Sequence, residues 1–597
     1  LFPRQLIKGF AFDVELLALL QKLKLPVAVI TVDGEDCPGS TVRRILTPLS
    51  MARDLLKIKI ALFFNIYNLP NQINPARGLA TAAGLFLLAG LVRIPWLWEV
   101  PRYIDELKEV KLAYQIYQGE VWPLHNMAHD IGALHNYILA GIFKIMGASI
   151  YWPRLYVALT SALTVVLIYH IGKKLFGQWV GITAALLLIG NGMHILVTHM
   201  AWSNCTTPFF FCLALLALLK AEENQSGIWL IVSAFLWALT LQTHSSVIIY
   251  ILAVLLNILR PAFRNHNAIP GEYYWGAALG FLLAYGNMIY YNIISKGGSF
   301  GWLKYKGYAI EKDPGLISYL QNLQEMFIEL LRALSSTYSS QDSVWAYLTY
   351  PAFILAFLLL LGGSYLSYKE KKYLPLFIIA GAFLIMPWIN HRYVFFVATR
   401  YIMPVLLCSI LLLSLSLVRI FAYVYDFCGN RRFMLIPAVS VLLSLMLVQL
   451  IPFYSYCAQI ASTNLSNRLA LQVFEKTMEL SDRRSTLVIL DKNLQMENDP
   501  LPYLLTLVQQ PYLISNADIL AFSSAGKPDQ NASYYDCQGK NIIGIVSAGN
   551  FKALRSSLTP QRIDSYTCKL VMPASARGER EIYVLDLGSS PDDNTDK

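Results

Sequence analysis

The stretch "VPRYIDELKEVKLAYQIYQGE" (Val100–Glu120) decides how the chain is organised, because it follows closely behind an apolar run at 79–97. It opens with two adjacent carboxylates, Asp105 and Glu106, and continues with apolar residues at helical spacing. This pattern predicts an amphipathic helix at the membrane interface. The residues expected to face lipid are Leu107, Val110, Leu112, Tyr114 and Tyr117. An acidic pair at the mouth of a membrane segment is a candidate for chemistry, although it can also be a solvated cap.

The composition favours a membrane protein with many spans. Of the 597 residues, 56% are hydrophobic and 14% are charged, whereas soluble proteins carry roughly 25% charged residues. The net charge is +10, but the basic residues form short clusters between apolar runs, so no nucleic-acid partner is expected. The eight cysteines show no CxxC spacing, which supports neither a zinc site nor a redox motif. The opening "LFPRQLIKGF" contains no initiator Met, and we expect a fragment of a longer protein.

Apolar runs of membrane-spanning length recur along the chain and predict a mainly α, polytopic protein with about 11 transmembrane helices. They lie at 79–97, 152–171, 180–198, 205–220, 228–243, 245–259, 273–294, 347–367, 373–390, 400–418 and 433–452. Basic clusters, such as Lys173–Lys174 and Lys369 with Lys371 and Lys372, all follow even-numbered spans. Since such clusters mark cytoplasmic loops, we expect a multi-pass plasma (inner) membrane protein with a cytoplasmic N-terminus.

The two ends of the chain differ from the apolar middle at 75–452. Residues 1–60 read as the C-terminal remnant of an α/β unit, with the strand "LPVAVITVDG" and a basic membrane-surface helix. Residues 453–597 contain the predicted strands "STLVILD", "NIIGIVSA" and "REIYVLDL" between helical stretches, which predicts an extracytoplasmic α/β domain. Cys537 and Cys568 lie in this domain, as a disulfide or as two free thiols.

The order of motifs after the first span resembles the GT-C glycosyltransferases of the protein O-mannosyltransferase and aminoarabinose-transferase branch. An Asp-Glu pair and a helix are followed by "GEVWPLHNMAHDIGALHNYILAGIFKIMGASIYWPRLYVAL", and "TRYIMPVLL" (Thr399–Leu407) is similar to a late family motif. The family's "DKPPL" stands here as "DIGAL" (Asp130–Leu134), without the lysine and both prolines. The departure suggests a different sugar or acceptor.

This resemblance implies site residues in three roles. Asp105 is expected to be the base that accepts the proton of an acceptor hydroxyl, with Glu106 orienting the acceptor and Asp130 sharing the base's role or binding sugar hydroxyls. Cations are needed for the departing lipid phosphate. The phosphate-binding candidates are Arg400, Arg392, His391, Lys304 and Lys306. The cavity candidates are His129, His199, Asn204 and His244.

Metal binding is open at this stage. His129 and His135 flank Asp130, but their spacing matches no standard ligand motif. No metal site is therefore predicted and no cofactor is expected with certainty, although a divalent cation stays an alternative.

The opening segment resembles the C-terminal end of family 2 glycosyltransferases of the polyprenyl-phosphate mannose or glucose synthase type. The residues that carry this resemblance are "FDVELL", the loop "CPGST" (Cys37–Thr41) and the basic helix after it. The family's acidic nucleotide- and metal-binding motif would lie upstream.

Together the two resemblances imply a glycosyltransferase that moves a sugar, with inversion, from a polyprenyl-phosphate donor to an acceptor hydroxyl on the extracytoplasmic face. The acceptor is a glycan, lipid or protein. Two alternatives are a transporter or flippase for a lipid-linked sugar and a non-catalytic membrane anchor of a synthase. The enzyme hypothesis requires Asp105, Asp130 and Arg400 to lie together, which an anchor does not.

Overall fold

The computed structural model describes most of the apolar middle of the chain and shorter stretches at both ends. The described residues are 7, 11–23, 46–63, 75–98, 104–258, 269–301, 315–336, 351–389, 400–428, 431–461, 473, 476–477, 479, 486–491, 512–514, 541–547, 569–575 and 581–589. Contacts divide the chain into two units, residues 1–87 and 88–597.

Helices make up most of the described chain, in agreement with the predicted mainly α class. In chain order they are α1 (Phe12–Leu23), α2 (Leu46–Phe63), α3 (Pro75–Arg93), α4 (Ile104–Gln118), α5 (Leu134–Met146), α6 (Trp152–Phe176), α7 (Gln178–Gly190), α8 (Gly192–Val197), α9 (Thr207–Asn224), α10 (Gly227–Thr243), α11 (Val247–Ile258), α12 (Gly271–Ala284), α13 (Gly286–Ile294), α14 (Leu316–Ser335), α15 (Pro351–Lys369), α16 (Leu374–Ile389), α17 (Met403–Cys428) and α18 (Arg431–Ala461). Short 3₁₀ turns are Ser203–Thr206 and Gly298–Phe300.

The first unit contains α1 and α2. A small apolar core of Ile7, Ala11 and Ile58 lies between them, with Ala18 packed against it. The carboxylate of buried Glu15, in the first turn of α1, accepts a hydrogen bond from the backbone N–H of Ile7 at 3.1 Å. α2 agrees with the predicted basic helix. The predicted strand and the "CPGST" loop lie outside the described residues.

All eleven predicted spans contain apolar helices. Ten lie in the second unit, and α3, the helix of the first span, has residues on both sides of the boundary at residue 87. Among the described residues, four helices are long and apolar enough to cross a membrane, in α6, α9 with its preceding turn, α15 and α17. The pair α12 and α13, bent by 63°, adds a fifth, and six predicted spans match shorter apolar helices. The chain is therefore a helical membrane protein, and the count of eleven crossings stays a prediction.

Small residues set how closely the helices pack. α6 lies against α7 and α9, and α17 lies against α7 and α15. At the crossing of α6 and α7, a Cβ on Gly181 would meet the backbone carbonyl oxygen of Tyr169 and would lie 2.9 Å from the backbone nitrogen of Lys173. Only glycine therefore fits this crossing without a shift of one helix.

α7 ends at Gly190. The next residue, Asn191, caps α8, because its side chain accepts a hydrogen bond from the backbone N–H of His194 at 2.9 Å.

A five-stranded mixed sheet forms in the C-terminal part of the second unit. Its strands are β1 (Thr486–Asp491), β2 (Tyr512–Ile514), β3 (Asn541–Ser547), β4 (Lys569–Ser575) and β5 (Glu581–Ser589), in the order β2-β1-β3-β5-β4. β1 pairs in parallel with β2 and β3, whereas β5 pairs antiparallel with β3 and β4. The three predicted strands are confirmed as β1, β3 and β5. The α/β nature and extracytoplasmic place of the domain stay predictions, and both cysteines lie outside the described residues.

Candidate active site

Glu106, the second carboxylate of the acidic pair near the start of α4, forms a buried ion pair with Arg154. Glu106 and Arg154 of α6 are both fully buried, and the Arg154 Nε and Nη2 atoms donate to the two Glu106 carboxylate oxygens at 2.7 and 2.8 Å. Arg154 Nη1 also donates to the backbone carbonyl of Leu97 at 2.8 Å, and Glu106 accepts from the backbone N–H of Ala201 at 3.1 Å. The alternative of a solvated cap does not hold for Glu106, because its side chain is fully buried. A bidentate pair fixes geometry as well as charge, so Glu106 fixes the start of α4.

A second carboxylate one turn later joins α4 to the same segment. Glu109 accepts hydrogen bonds from the backbone N–H of Ser203 at 2.8 Å and from its hydroxyl at 3.1 Å. The backbone carbonyl of Glu109 accepts from the side-chain amide of Asn136 at 2.9 Å. The sequence predicts that Val110 faces lipid. In the structure Val110 is instead buried, because this side of α4 packs on protein. α4 is thus a structural support for residues 201–203.

Asp130 lies half-buried in the loop before α5. Its Oδ2 atom accepts a hydrogen bond from the Ser245 hydroxyl at 2.6 Å. Ser245 belongs to the short connection between α10 and α11, so this bond joins the first long loop to the end of α10. The backbone supports the same approach, since the N–H of Gly132 donates to the carbonyl oxygen of Gln242 at 3.1 Å.

Arg400 lies in the turn before α17, close to two aromatic rings. Its guanidinium carbon lies 4.1 Å from the ring centre of Trp202 and 4.7 Å from that of Tyr401. Nη2 donates to the Tyr401 hydroxyl at 2.6 Å. Nε and Nη1 are buried and find no hydrogen-bond acceptor among the described residues. Buried donors without partners are costly, and a planar guanidinium with two such donors suits an anionic oxygen ligand.

His244 connects Asp130 with Arg400. Its ring centre is 5.0 Å from that of Tyr401, and its Nδ1 lies 2.8 Å from the Ser246 hydroxyl. Burial lowers the pKa of His244 to about 4, while nearby Asp130 raises this pKa and Arg400 lowers it. His244 precedes Ser245, which holds Asp130, and its ring lies against Tyr401, whose hydroxyl accepts a hydrogen bond from Arg400.

The remaining described cavity candidates divide into exposed and buried residues. His129 is exposed and lies against His125 and Tyr291. Asn204 is buried in the 3₁₀ turn and its side-chain oxygen accepts from the Cys205 thiol at 3.5 Å. His199 is buried inside the bundle, where its Nε2 donates to the backbone carbonyl of Arg93 at 2.7 Å and its ring stacks on Phe453. Burial lowers the pKa of His199 to about 3, so this histidine is neutral and belongs to the core.

Several predicted site residues cannot be placed. The side chain of Asp105 lies outside the described residues, although its backbone is in α4. The phosphate candidates His391, Arg392, Lys304 and Lys306 also lie outside them. Their roles stay predictions.

Asp130 and His135, which left metal binding open in the sequence, have separate partners in the structure. His135 is buried and its Nε2 donates to the carbonyl oxygen of Ala201 at 3.1 Å, whereas Asp130 contacts Ser245. Across the described stretches, no group of three or more His, Cys, Asp and Glu side chains is arranged to hold a metal ion.

Sequence reasoning missed several residues that shape this region. Arg154 stands in the quoted "YWPRLYVAL", where an arginine at the start of an apolar helix invites a search for a buried carboxylate partner. Glu109 stands one turn after the acidic pair, on the same side of α4. Trp202 and Ser245 gave no such signal, because their importance depends on contacts between distant segments.

Comparison with known proteins identifies relatives of different parts of the chain. Residues 130–290 match the family model described as "Dolichyl-phosphate-mannose-protein mannosyltransferase". The dolichyl-phosphate beta-glucosyltransferase of Dictyostelium discoideum is 33% identical over 69 residues, which are 12% of this chain and 21% of that protein. The chain thus covers about a fifth of the length of this curated relative. This short match fits the family 2 resemblance of the opening segment.

Solved structures provide similar folds at low identity. ArnT from Cupriavidus metallidurans bound to undecaprenyl phosphate has a TM-score of 0.49 and 13% identity, over 84% of this chain and 97% of that chain. The archaeal oligosaccharyltransferase AglB from Archaeoglobus fulgidus, in complex with an inhibitory peptide and a dolichol-phosphate, has a TM-score of 0.45 and 12% identity, over 73% of this chain and 64% of that chain. Values this low do not transfer a function. The match over residues 130–290 agrees with the resemblance of the chain to the GT-C glycosyltransferases.

Proposed function

We propose that the protein transfers a sugar from a polyprenyl-phosphate-linked donor to an acceptor hydroxyl on the extracytoplasmic face, with inversion at the sugar carbon. The observation that carries this proposal is Arg400, whose buried Nε and Nη1 donors have no acceptor among the described residues. The rings of Trp202 and Tyr401 contact the guanidinium group and help to position it. A lipid phosphate is an anion that supplies the missing acceptor oxygens.

Asp105 is the proposed base in this reaction. A positioned carboxylate that accepts the acceptor's proton contributes roughly 10²–10⁴-fold to the rate. Support comes from its neighbour: the Glu106–Arg154 pair fixes the first turn of α4, in which Asp105 lies. We assign Glu106 a positioning role in place of direct contact with the acceptor, because both its carboxylate oxygens accept hydrogen bonds from Arg154.

Asp130 is the proposed sugar-binding carboxylate near the departing phosphate. One of its oxygens is held by Ser245, which follows His244 in the chain. The His244 ring lies 5.0 Å from that of Tyr401, the residue whose hydroxyl accepts from Arg400. In this arrangement Arg400 binds the phosphate, and Asp130 accepts hydrogen bonds from sugar hydroxyls. His391, Arg392, Lys304 and Lys306 remain proposed additional phosphate contacts, and His129 and Asn204 remain proposed neighbours of the bound sugar.

The test is a transfer assay on membranes that contain the protein, supplied with a panel of radiolabelled polyprenyl-phosphate sugars. We expect Asp105→Asn to lower the transfer rate by about 10²-fold or more. Arg400→Gln should lower transfer at subsaturating donor by about 10²-fold. The matched control is Arg419→Gln. Arg419 lies in α17, the helix that follows the turn with Arg400, but it is half-exposed and paired with Glu370.

The outcomes separate the enzyme from its two alternatives. Equal transfer by wild type and Asp105→Asn would remove the proposed base. Label that crosses sealed vesicles without leaving its lipid would instead indicate a transporter, and the absence of both transfer and movement would leave a membrane anchor.

A further inference from the structure

We infer that His125 and His129 form a binding site for a divalent transition-metal cation of the zinc class. The Nδ1 atom of His129 lies 3.3 Å from the Nε2 atom of His125, and the ring centres are 4.6 Å apart. Two nitrogens bound at about 2.05 Å to one tetrahedral zinc ion lie about 3.3 Å apart. The two imidazoles thus already have the separation of two vertices of a zinc coordination shell.

The hydrogen bonding of His125 directs a lone pair toward His129. His125 Nδ1 lies 2.5 Å from the backbone carbonyl oxygen of Asn126, which can only accept. We therefore assign the proton to Nδ1, which leaves a lone pair on Nε2, the atom that faces His129. Histidines that bind metals commonly donate their other ring N–H to a backbone carbonyl, because this fixes the tautomer and the ring orientation.

The loop that carries the pair is fixed before any ion binds. The backbone N–H of Asn126 donates to the carbonyl of Ile131 at 2.8 Å, and the carbonyl of His129 accepts from the Ser299 hydroxyl at 2.9 Å. The ring of Tyr291 lies 4.4 Å from that of His125 and 6.0 Å from that of His129, parallel to the latter within 11°. A preformed pair loses little side-chain freedom when it binds an ion.

The chemistry of the pair selects the class of cation. Two imidazole nitrogens suit Zn²⁺, Cu²⁺ or Ni²⁺, whereas Mg²⁺ and Ca²⁺ prefer oxygen ligands. Because no third His, Cys, Asp or Glu completes a group within the described ranges, water or a ligand oxygen would fill the other positions. His129 is exposed, so an ion can reach the pair from solvent. The site shares His129 with the proposed sugar cavity, but metal binding by the pair is measured without the transfer reaction and does not depend on the proposed function.

The test is a titration of the full chain, purified in nanodiscs without a histidine tag, with ZnCl₂ followed by calorimetry. A parallel titration with CoCl₂ follows the visible spectrum, which reports tetrahedral nitrogen coordination. We expect saturable Zn²⁺ binding, not competed by MgCl₂, that weakens about tenfold or more in His129→Gln and in His125→Gln. His170→Gln in α6 is the matched control and should bind as wild type.

Two results would overturn the inference. One is the absence of saturable Zn²⁺ binding by the wild type, which would leave the 3.3 Å contact as a hydrogen bond between two histidines. The other is unchanged binding by His129→Gln, a substitution at an exposed side chain that should not disturb folding.

Discussion

Removing the guanidinium of Arg154 should destabilise the protein more than any ordinary surface substitution. In Arg154→Met, the Glu106 carboxylate stays fully buried but loses two charge-assisted hydrogen bonds of 2.7 and 2.8 Å. The Leu97 carbonyl loses its contact with Nη1 as well. Breaking a buried ion pair from one side costs about 3–5 kcal/mol, because an uncompensated charge is left inside the protein.

The double variant Glu106→Gln/Arg154→Met separates the lost pair from the lost packing. Replacing both charges removes the uncompensated carboxylate, so the double variant should be more stable than the sum of the two single effects predicts. Coupling energies between residues in contact are about 0.5–3 kcal/mol. What the double variant still loses comes from the Leu97 carbonyl, whose donor is removed with Arg154. The amide oxygen introduced at position 106 can still accept from the Ala201 N–H.

The measurement is the free energy of unfolding of each purified variant in mixed micelles, followed by tryptophan fluorescence as denaturant is added. Arg419→Met is the control, because its pair with Glu370 is partly exposed and should contribute about 0–1 kcal/mol. A loss below about 1 kcal/mol in Arg154→Met, equal to the loss in the control, would refute the reasoning that the pair supports α4.

Two further predictions concern the core of the same unit. Burial lowers the pKa of His135 from its usual 6.5 to about 4, so the unfolded chain binds more protons between these values, and stability should be constant above about pH 6.5 and fall by about 3 kcal/mol toward pH 4. His135→Gln should flatten this fall in pH-dependent unfolding curves, and an unchanged slope would contradict the assignment. Gly181→Ala should cost about 1–3 kcal/mol or more in the unfolding assay, since its Cβ would meet the backbone of α6. Gly141→Ala, with open space around its Cβ, is the control and should be neutral or slightly stabilising, so equal effects of the two would contradict the close helix crossing.

Local patterns in the sequence predicted the elements of the fold well. Each of the eleven apolar runs contains a helix or a pair of helices, and "IDELKEVKLAYQIYQ" forms the helix Ile104–Gln118. Such predictions succeed because a helix satisfies its own backbone, so that hydrophobicity and periodicity over neighbouring residues are sufficient. The predicted convergence of Asp105, Asp130 and Arg400 came from a family resemblance, and it stays a prediction.

The partners of the charged residues could not be read from local patterns. Glu106 was expected to orient an acceptor, and instead it pairs with a residue 48 positions away. His199 was expected at a cavity and is a stacked core histidine. Charge and polarity in a sequence show that a side chain needs a partner when buried, but they do not show which partner it finds.

The chain's composition and the spacing of its apolar residues, acidic pair and basic clusters thus determined its class, its helices and the region where chemistry is expected. Packing between distant segments decided that Glu106 supports α4 and that Arg400 lies against Trp202, with two buried donors that find no acceptor among the described residues. The physical reason is that helix formation depends on neighbours along the chain, whereas hydrogen bonds and ion pairs in the interior depend on which side chains folding brings within about 3 Å of each other.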